Sequence, residues 1–354
     1  PFDPRKLEAD ASSLIDLLVY REKYLRNRKV FIDYRQNPRL PDGRYLNVEK
    51  DGDEQFLSYL GKSDAMQRLP IARLAAMNQP AIDLYRKNGI NLFEEALEID
   101  VCAQHCNGGL QASIWWESNI QNLFPVGEIN GSHGVYRPGG SALNAGQVGG
   151  YRAALLIQTL GSKKRLRQTE FTELINPQLN NTLSQISNWI SEGESIDIDL
   201  EFQKLRSRMS RHAGIFRNVD SCKSALGEAQ TQYDKVFEIQ GQSSGVLPDL
   251  FYLKDHLISQ LAILESIKEY LEKSGQSRGS YLVLDSAGNK TLPWDEKSRY
   301  SIDQEDGFIR SHQLQVNCNG RKFEKEWESC RAMPMEPEWF EAAWKKYRDR
   351  KIIR

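Results

Sequence analysis

No stretch of this 354-residue chain approaches the ~18 consecutive apolar residues of a membrane-spanning helix. The amino-terminal residues PFDPRKLEAD lack the basic start and apolar core of a secretory signal. Charge of one sign is missing too: 47 Lys and Arg against 48 Asp and Glu leave a net charge of −1. There is thus no electrostatic case for nucleic acid or an anionic membrane surface. Cysteine is scarce, five in all, an odd number without framework spacing. That argues against a disulfide scaffold and for reduced thiols in the cytoplasm. Cys102, His105 and Cys106 make a small thiol–imidazole cluster, but no C-x-x-C or matching histidine pair supplies a fourth ligand, so no metal site is expected. Internal repeats and low-complexity segments are absent, and the length suits about two domains.

What the chain does have is glycine, in one place. Eight of its twenty-five glycines fall between Gly127 and Gly150. Glycine is costly inside regular elements, so such a run marks positive φ or backbone pressed against a ligand. Here an apolar run, residues 123–126, ends at Gly127-Glu128. A glycine-dense loop follows, and then small residues, 141–154, that read as the start of a helix. A strand feeding a glycine loop and a helix N-terminus aims several backbone N–H groups and the positive end of a helix dipole at one point. The expected guest is flat, polar and anionic.

Position by position, Gly127-Glu128, His133-Gly134, Arg137, Gly139-Gly140 and Ser141-Ala142-Leu143 resemble the C-terminal flavin motif of the succinate dehydrogenase and fumarate reductase flavoproteins, relatives of L-aspartate oxidase and adenylylsulfate reductase. A second segment, residues 104–109, is similar to the family's H-x-x-x-G-G, in which the histidine binds a substrate carboxylate. Counting back from Gly108, that position holds Gln104, with His105 one residue nearer, so either side chain is a candidate. Tyr136 and Pro138 depart from the family's usual Asn and Leu.

The resemblance implies an FAD-dependent oxidoreductase that moves hydride between flavin N5 and a carboxylate of the succinate or fumarate type. Gly127 and Glu128 would meet the flavin, with Glu128 accepting hydrogen bonds from ribityl hydroxyls; a turn cap is its alternative role. Gly139, Gly140, Ser141, Ala142 and Leu143 would offer backbone donors to the pyrimidine edge, where charge gathers on reduction. Arg137 would touch flavin and clamp the substrate carboxylate, the alternative being a surface ion pair. His133 would add a second polar contact, or else be a solvated loop histidine. Arg137, His133, His105 and Gln104 are therefore the catalytic candidates.

The family's dinucleotide fingerprint, G-x-G-x-x-G, occurs nowhere in the chain, and its arginine proton donor has no recognisable match. The expectation is the C-terminal part of a longer flavoprotein, partnered by the N-terminal part of that protein, by a small carboxylate substrate and by an iron–sulfur electron carrier. One alternative is a fragment that is inactive and flavin-free alone. Another is a flavoprotein subunit serving an iron–sulfur partner on a non-dicarboxylate substrate.

The implied fold is α/β: the C-terminal half of a glutathione-reductase-like FAD domain, then a helical bundle, then a small α+β tail. The expected divisions are 1–94, the end of a capping region and the return to the flavin domain; 95–160, flavin domain; 161–276, helical; and 277–354, the tail. Apolar periodicity predicts a helix within 4–27, a buried strand at 30–35 and short helices within 54–91 that use Pro70 and Pro80 in first turns. Residues 97–103, 110–116 and 123–126 read as strands of one β-structure. Leu250, Leu253, Leu257, Leu261, Leu264, Ile267 and Leu271 recur at spacings of three and four, predicting a packed helix over 248–273 that Gly275 stops. The tail is expected to hold strands at 280–284 and 313–317 and a helix near 339–347.

Overall fold

The computed structural model describes residues 2–9, 12–102, 108–134, 140–160, 166–303, 307–319, 322–332, 335, 338–349 and 351. The chain divides into two compact units: Leu14–Val101 is one, and Pro1–Ser13 together with Cys102–Arg354 is the other. About half of the chain is helical, with short paired strands besides, a mixed content consistent with an α/β protein.

In the unit Leu14–Val101, the helix Leu14–Tyr20 runs on as a wider turn, Arg21–Leu25. Strand Val30–Ile32 pairs antiparallel with Leu97–Ile99, Val30 opposite Ile99. This ribbon corrects the buried strand expected at 30–35. With a single neighbouring strand its faces stay open, and Phe31 is 51% exposed. Helix Glu54–Lys62 starts where the Asp53 carboxylate accepts from the Phe56 amide at 2.7 Å. Pro70 opens the helix Pro70–Lys87, which breaks at Asn78. The Asn78 side chain accepts from the Ala81 amide at 3.2 Å and restarts the helix, so Pro80 sits in a first turn as expected. Ile71, Ile82 and Leu92 form the local core.

The second unit holds the helix Ser141–Leu160, a bundle made of Ile198–His212, Val219–Val236 and Leu247–Glu272, and the helix Gln168–Trp189, which joins that core through its last turn. All seven leucines and isoleucines singled out in Leu247–Glu272 are buried. Trp189 is fully buried, its indole N–H donating to the Val236 carbonyl at 2.7 Å and its ring meeting Phe251 edge-on. The turn after this central helix differs in detail from expectation. Ser274 takes the left-handed backbone, φ 61°, whereas Gly275 is required by space: a Cβ there would lie 2.2 Å from the Tyr270 ring.

Beyond the bundle, Leu282–Val283 pairs parallel with Phe216–Arg217, and Lys290–Leu292 pairs antiparallel with Asp295–Tyr300. The hairpin His312–Asn319 and Lys322–Ser329 docks on the central helix. There Lys325 meets Glu265 at 2.6 Å, and the Trp327 indole donates to Glu269 at 3.0 Å. A helix, Trp339–Arg348, follows.

The strands expected at 110–116 and 123–126 are not formed. Leu110 makes one isolated parallel bridge to Asn130, and the 113–117 segment is a turn in which Ser113 binds both Glu117 and Trp116 through its backbone. Backbone groups here are taken up locally instead, the Ser118 amide donating to the Leu123 carbonyl at 2.9 Å and the Leu123 amide to the Ile120 carbonyl at 3.1 Å. No helix among the described residues is long and apolar enough to cross a membrane.

Candidate flavin cradle

The segment 108–131 and the helix Ser141–Leu160 meet through glycine. On that helix Gly146, Gly149 and Gly150 share one face, being spaced by three and four. A Cβ on Gly146 would stand 3.3 Å from the Gly127 Cα, and one on Gly150 would stand 3.5 Å from Val126 Cγ1. A Cβ on Gly149 would fall 2.4 Å from the Trp116 indole nitrogen. The helix therefore meets the backbone of the preceding chain at Gly146 and its side chains at Gly149 and Gly150.

A second close approach joins the two sequence motifs. The Leu110 amide donates to the Ile129 carbonyl at 2.7 Å, and the Gly131 amide returns to the Leu110 carbonyl at 3.0 Å. Gly109 is pressed so close that a Cβ would lie 2.3 Å from the Ile129 oxygen. The Gly108-Gly109 end of the H-x-x-x-G-G-like segment thus lies against the loop that follows Glu128.

Gly127, φ 89°, and Gly140, φ 78°, take the left-handed backbone that glycine alone adopts freely. In contrast to Gly109 and Gly149, a Cβ on Gly127, Gly134 or Gly140 would meet nothing within 4 Å. Glu128 is exposed beside this open space, and His133 is buried at 6% exposure. Ser141, Ala142 and Leu143 form the first turn of the helix, and Leu143 is 76% exposed. Of the candidate residues, Gly127, Glu128, His133, Gly140, Ser141, Ala142 and Leu143 are described, whereas Gln104, His105, Arg137 and Gly139 lie outside the described residues.

Reading by sequence missed three contributors. Asn130, buried at 5% exposure, donates its backbone N–H to the Gly127 carbonyl at 3.1 Å and closes the turn after Glu128. The glycine stripe of the helix was counted with the loop, although its spacing of three and four was a signal of close packing. Trp115 and Trp116 fall at the end of the strand expected at 110–116, where strand packing is the simpler reading and a stacking platform the alternative. Instead they form a turn, with the Arg152 guanidinium 4.5 Å from the Trp115 ring centre.

No protein-family model matches the chain. A fumarate reductase (CoM/CoB) subunit of Methanothermobacter marburgensis is 25% identical over 241 residues, covering 66% of this chain and 41% of the relative. An uncharacterized FAD-dependent oxidoreductase of Methanocaldococcus jannaschii is 28% identical over 242 residues, 61% of this chain and 40% of the relative. Among solved structures, the FrdA chain of Escherichia coli quinol fumarate reductase superposes with a TM-score of 0.54 at 16% identity, covering 87% of this chain and 55% of that one.

The fold is thus of the class seen in flavoprotein subunits of fumarate reductases. In sequence the chain is homologous to a fumarate reductase (CoM/CoB) subunit and to FAD-dependent oxidoreductases. It spans about two fifths of the length of the curated relatives it matches.

Proposed function

We propose that this chain is part of an FAD-dependent oxidoreductase in which the Gly127–Leu143 region holds the flavin. One observation carries the reading: Gly146 against Gly127 brings the Glu128 loop and the N-terminus of the helix Ser141–Leu160 together, while Gly127 and Gly140 face open space. Residues of this kind fit an isoalloxazine edge and a ribityl chain. The space is open where a Cβ would intrude, the helix N-terminus carries partial positive charge, and a carboxylate stands at the rim.

When bound, FAD supplies hydride exchange at its N5. Glu128 accepts hydrogen bonds from the ribityl hydroxyls and fixes the cofactor's long axis. The amides of Gly139 to Leu143 serve the pyrimidine edge and favour its reduced, more negative form. Arg137 binds the substrate carboxylate in a fork, His133 adds a polar contact, and His105 or Gln104 orients the far end of the acid. A guanidinium and an imidazole suit a succinate- or fumarate-type acid, and an iron–sulfur protein is the proposed electron partner.

The matched segments cover only about two fifths of each homologue, and the remaining part of the same flavoprotein is the proposed partner for the cradle's outer side. Exposed Leu143, Val148, Ile157 and Leu160 on the helix, with Ile114, Ile120 and Ile129 beside it, support that covering.

The test is flavin uptake followed by bleaching. The full-length gene product is expected to purify with, or take up, FAD, and its flavin to respond to fumarate, succinate or aspartate. Replacing Arg137 by Ala is expected to weaken substrate binding at least tenfold while flavin stays bound. Failure of both the chain and the full-length product to take up added FAD would reject the enzyme reading. Flavin that binds yet answers none of the three acids would reject the substrate class alone.

A further inference from the structure

Trp116 is the residue that the flavin reading leaves unexplained. It is a bulky side chain on left-handed backbone, φ 64°, a conformation that L residues rarely adopt and keep only where the surroundings enforce it. Its amide donates to the Ser113 carbonyl at 2.9 Å, and the Ser113 amide in turn donates to the Glu117 carbonyl at 2.8 Å. The tight 113–117 turn therefore presents two successive indoles to the helix Ser141–Leu160.

Both indoles engage that helix. Trp116 lies on Gly149, where a Cβ would sit 2.4, 2.5 and 2.9 Å from Nε1, Cε2 and Cδ1 of the indole. Trp115 takes the guanidinium of Arg152, one turn further on, at 4.5 Å from its centre, with the Trp116 ring 6.0 Å from the same group. The turn grips the helix at two points spaced by three residues. Nearer the helix N-terminus, Gly146 touches Gly127, the residue before Glu128.

We propose that the Trp115–Trp116 turn is the positioning device of the cradle, with Trp116 seated on Gly149 setting where the helix N-terminus stands relative to Glu128. This rests on the flavin reading above. The physical consequence concerns redox balance. A helix N-terminus held at the pyrimidine edge stabilises the negative charge of reduced flavin more than the neutral oxidised ring, and the effect falls off within the first turn. A helix released at Gly149 slides or tilts as a rigid rod and carries its first-turn amides away. Trp116 is a positioning residue in this scheme, acting only through the helix.

The experiment uses the full-length flavoprotein and four variants: W116A, W116F, G149A and the double variant W116A/G149A. Flavin midpoint potential, FAD dissociation constant and thermal midpoint are measured for each. W116A is expected to lower the preference for reduced over oxidised flavin about tenfold, a potential about 30 mV more negative for a two-electron couple. G149A, whose methyl expels the indole, is expected to shift the potential in the same direction. W116F, which keeps a smaller flat ring, should fall between W116A and wild type. The double variant should be no worse than the worse single one, because the methyl introduced on the helix then meets no indole.

Potentials that stay at the wild-type value while thermal midpoints drop would overturn the proposal, leaving Trp116 a packing residue. Additive shifts in the double variant would also overturn it. Should W116A fail to fold, W116F and G149A carry the same decision. A wild-type protein without flavin removes the flavin reading itself, whereas normal flavin with unmoved potentials removes only the positioning role.

Discussion

At the scale of single residues, burial decides reactivity. Cys222 is fully buried, its thiol directed to the Leu264 carbonyl at 3.4 Å, and burial pushes the thiol up to about 11. Cys102, Cys318 and Cys330 are exposed. Alkylation at about pH 8 should therefore label those three and spare Cys222 until the chain unfolds, as peptide mass spectrometry would show. Labelling of Cys222 at the rate of the others would contradict its placement.

Arg208 makes a second case. It is buried at 6% exposure and donates to Gln260, to Gln232 at 3.0 Å and to Glu228 at 3.3 Å. The two glutamines donate onward, Gln232 to Glu201 and Gln260 to the Leu205 carbonyl. Three helices are thus tied by one satisfied network. Replacing Arg208 by Met keeps the bulk but strips donors from two buried amide oxygens, a loss of about 1–3 kcal/mol for each. Denaturant unfolding measures it, and an unchanged midpoint would show that the network contributes nothing to stability.

Elements are shaped here by short-range charge as well as by apolar spacing. In the unit Leu14–Val101, side-chain hydrogen bonds from Arg35 hold Asp33 down to about 2, and bonds from Arg44 do the same for Asp51. Both carboxylates lie below their ordinary 3.8, so their contribution is complete above that value. It is lost as pH falls from about 4 toward 2, when the folded form must take up the proton it excludes. The chain with D33N and D51N together should lose less stability than the wild type across that acid window and match its pH dependence from about pH 5 upward. Acid titration of the unfolding midpoint checks this, and parallel curves through the window would refute it.

Elements also show which sequence signals transfer to structure. The period of three and four in Leu247–Glu272 reads directly because every leucine of that seam faces the same core. Pro70, Pro80 and the helix beginning at Ser141 were legible for a like reason: first-turn proline and small residues after a glycine loop act within a few residues. The runs 110–116 and 123–126 misled because their backbone groups bond within local turns, Trp116 to Ser113, Ser113 to Glu117 and Leu123 to both Ser118 and Ile120, and not along a ladder.

For the whole molecule, exposed apolar surface is the property with consequences. Along with the cradle helix, the helix Gln168–Trp189 leaves Phe171, Leu174, Leu179 and Leu183 uncovered, and only its last turn is sealed by Trp189. Surface of this extent marks an interaction face. The chain alone is expected to bind a hydrophobic fluorescent dye, and the full-length flavoprotein to bind markedly less per molecule. Equal dye binding by both would show that the remainder of the protein does not cover these helices.

By itself the sequence determined the glycine-rich loop running into a helix, the kinship that loop declares, and the leucine seam of the bundle, because each is written in residues a few places apart. Tertiary structure alone decided that Gly109 lies on Ile129, that Trp116 rests on Gly149 and that Arg208 gathers two glutamines from other helices. Those pairings join residues about 20 to 50 positions apart. They depend on the path of the chain between the partners, and local spacing carries no record of that path.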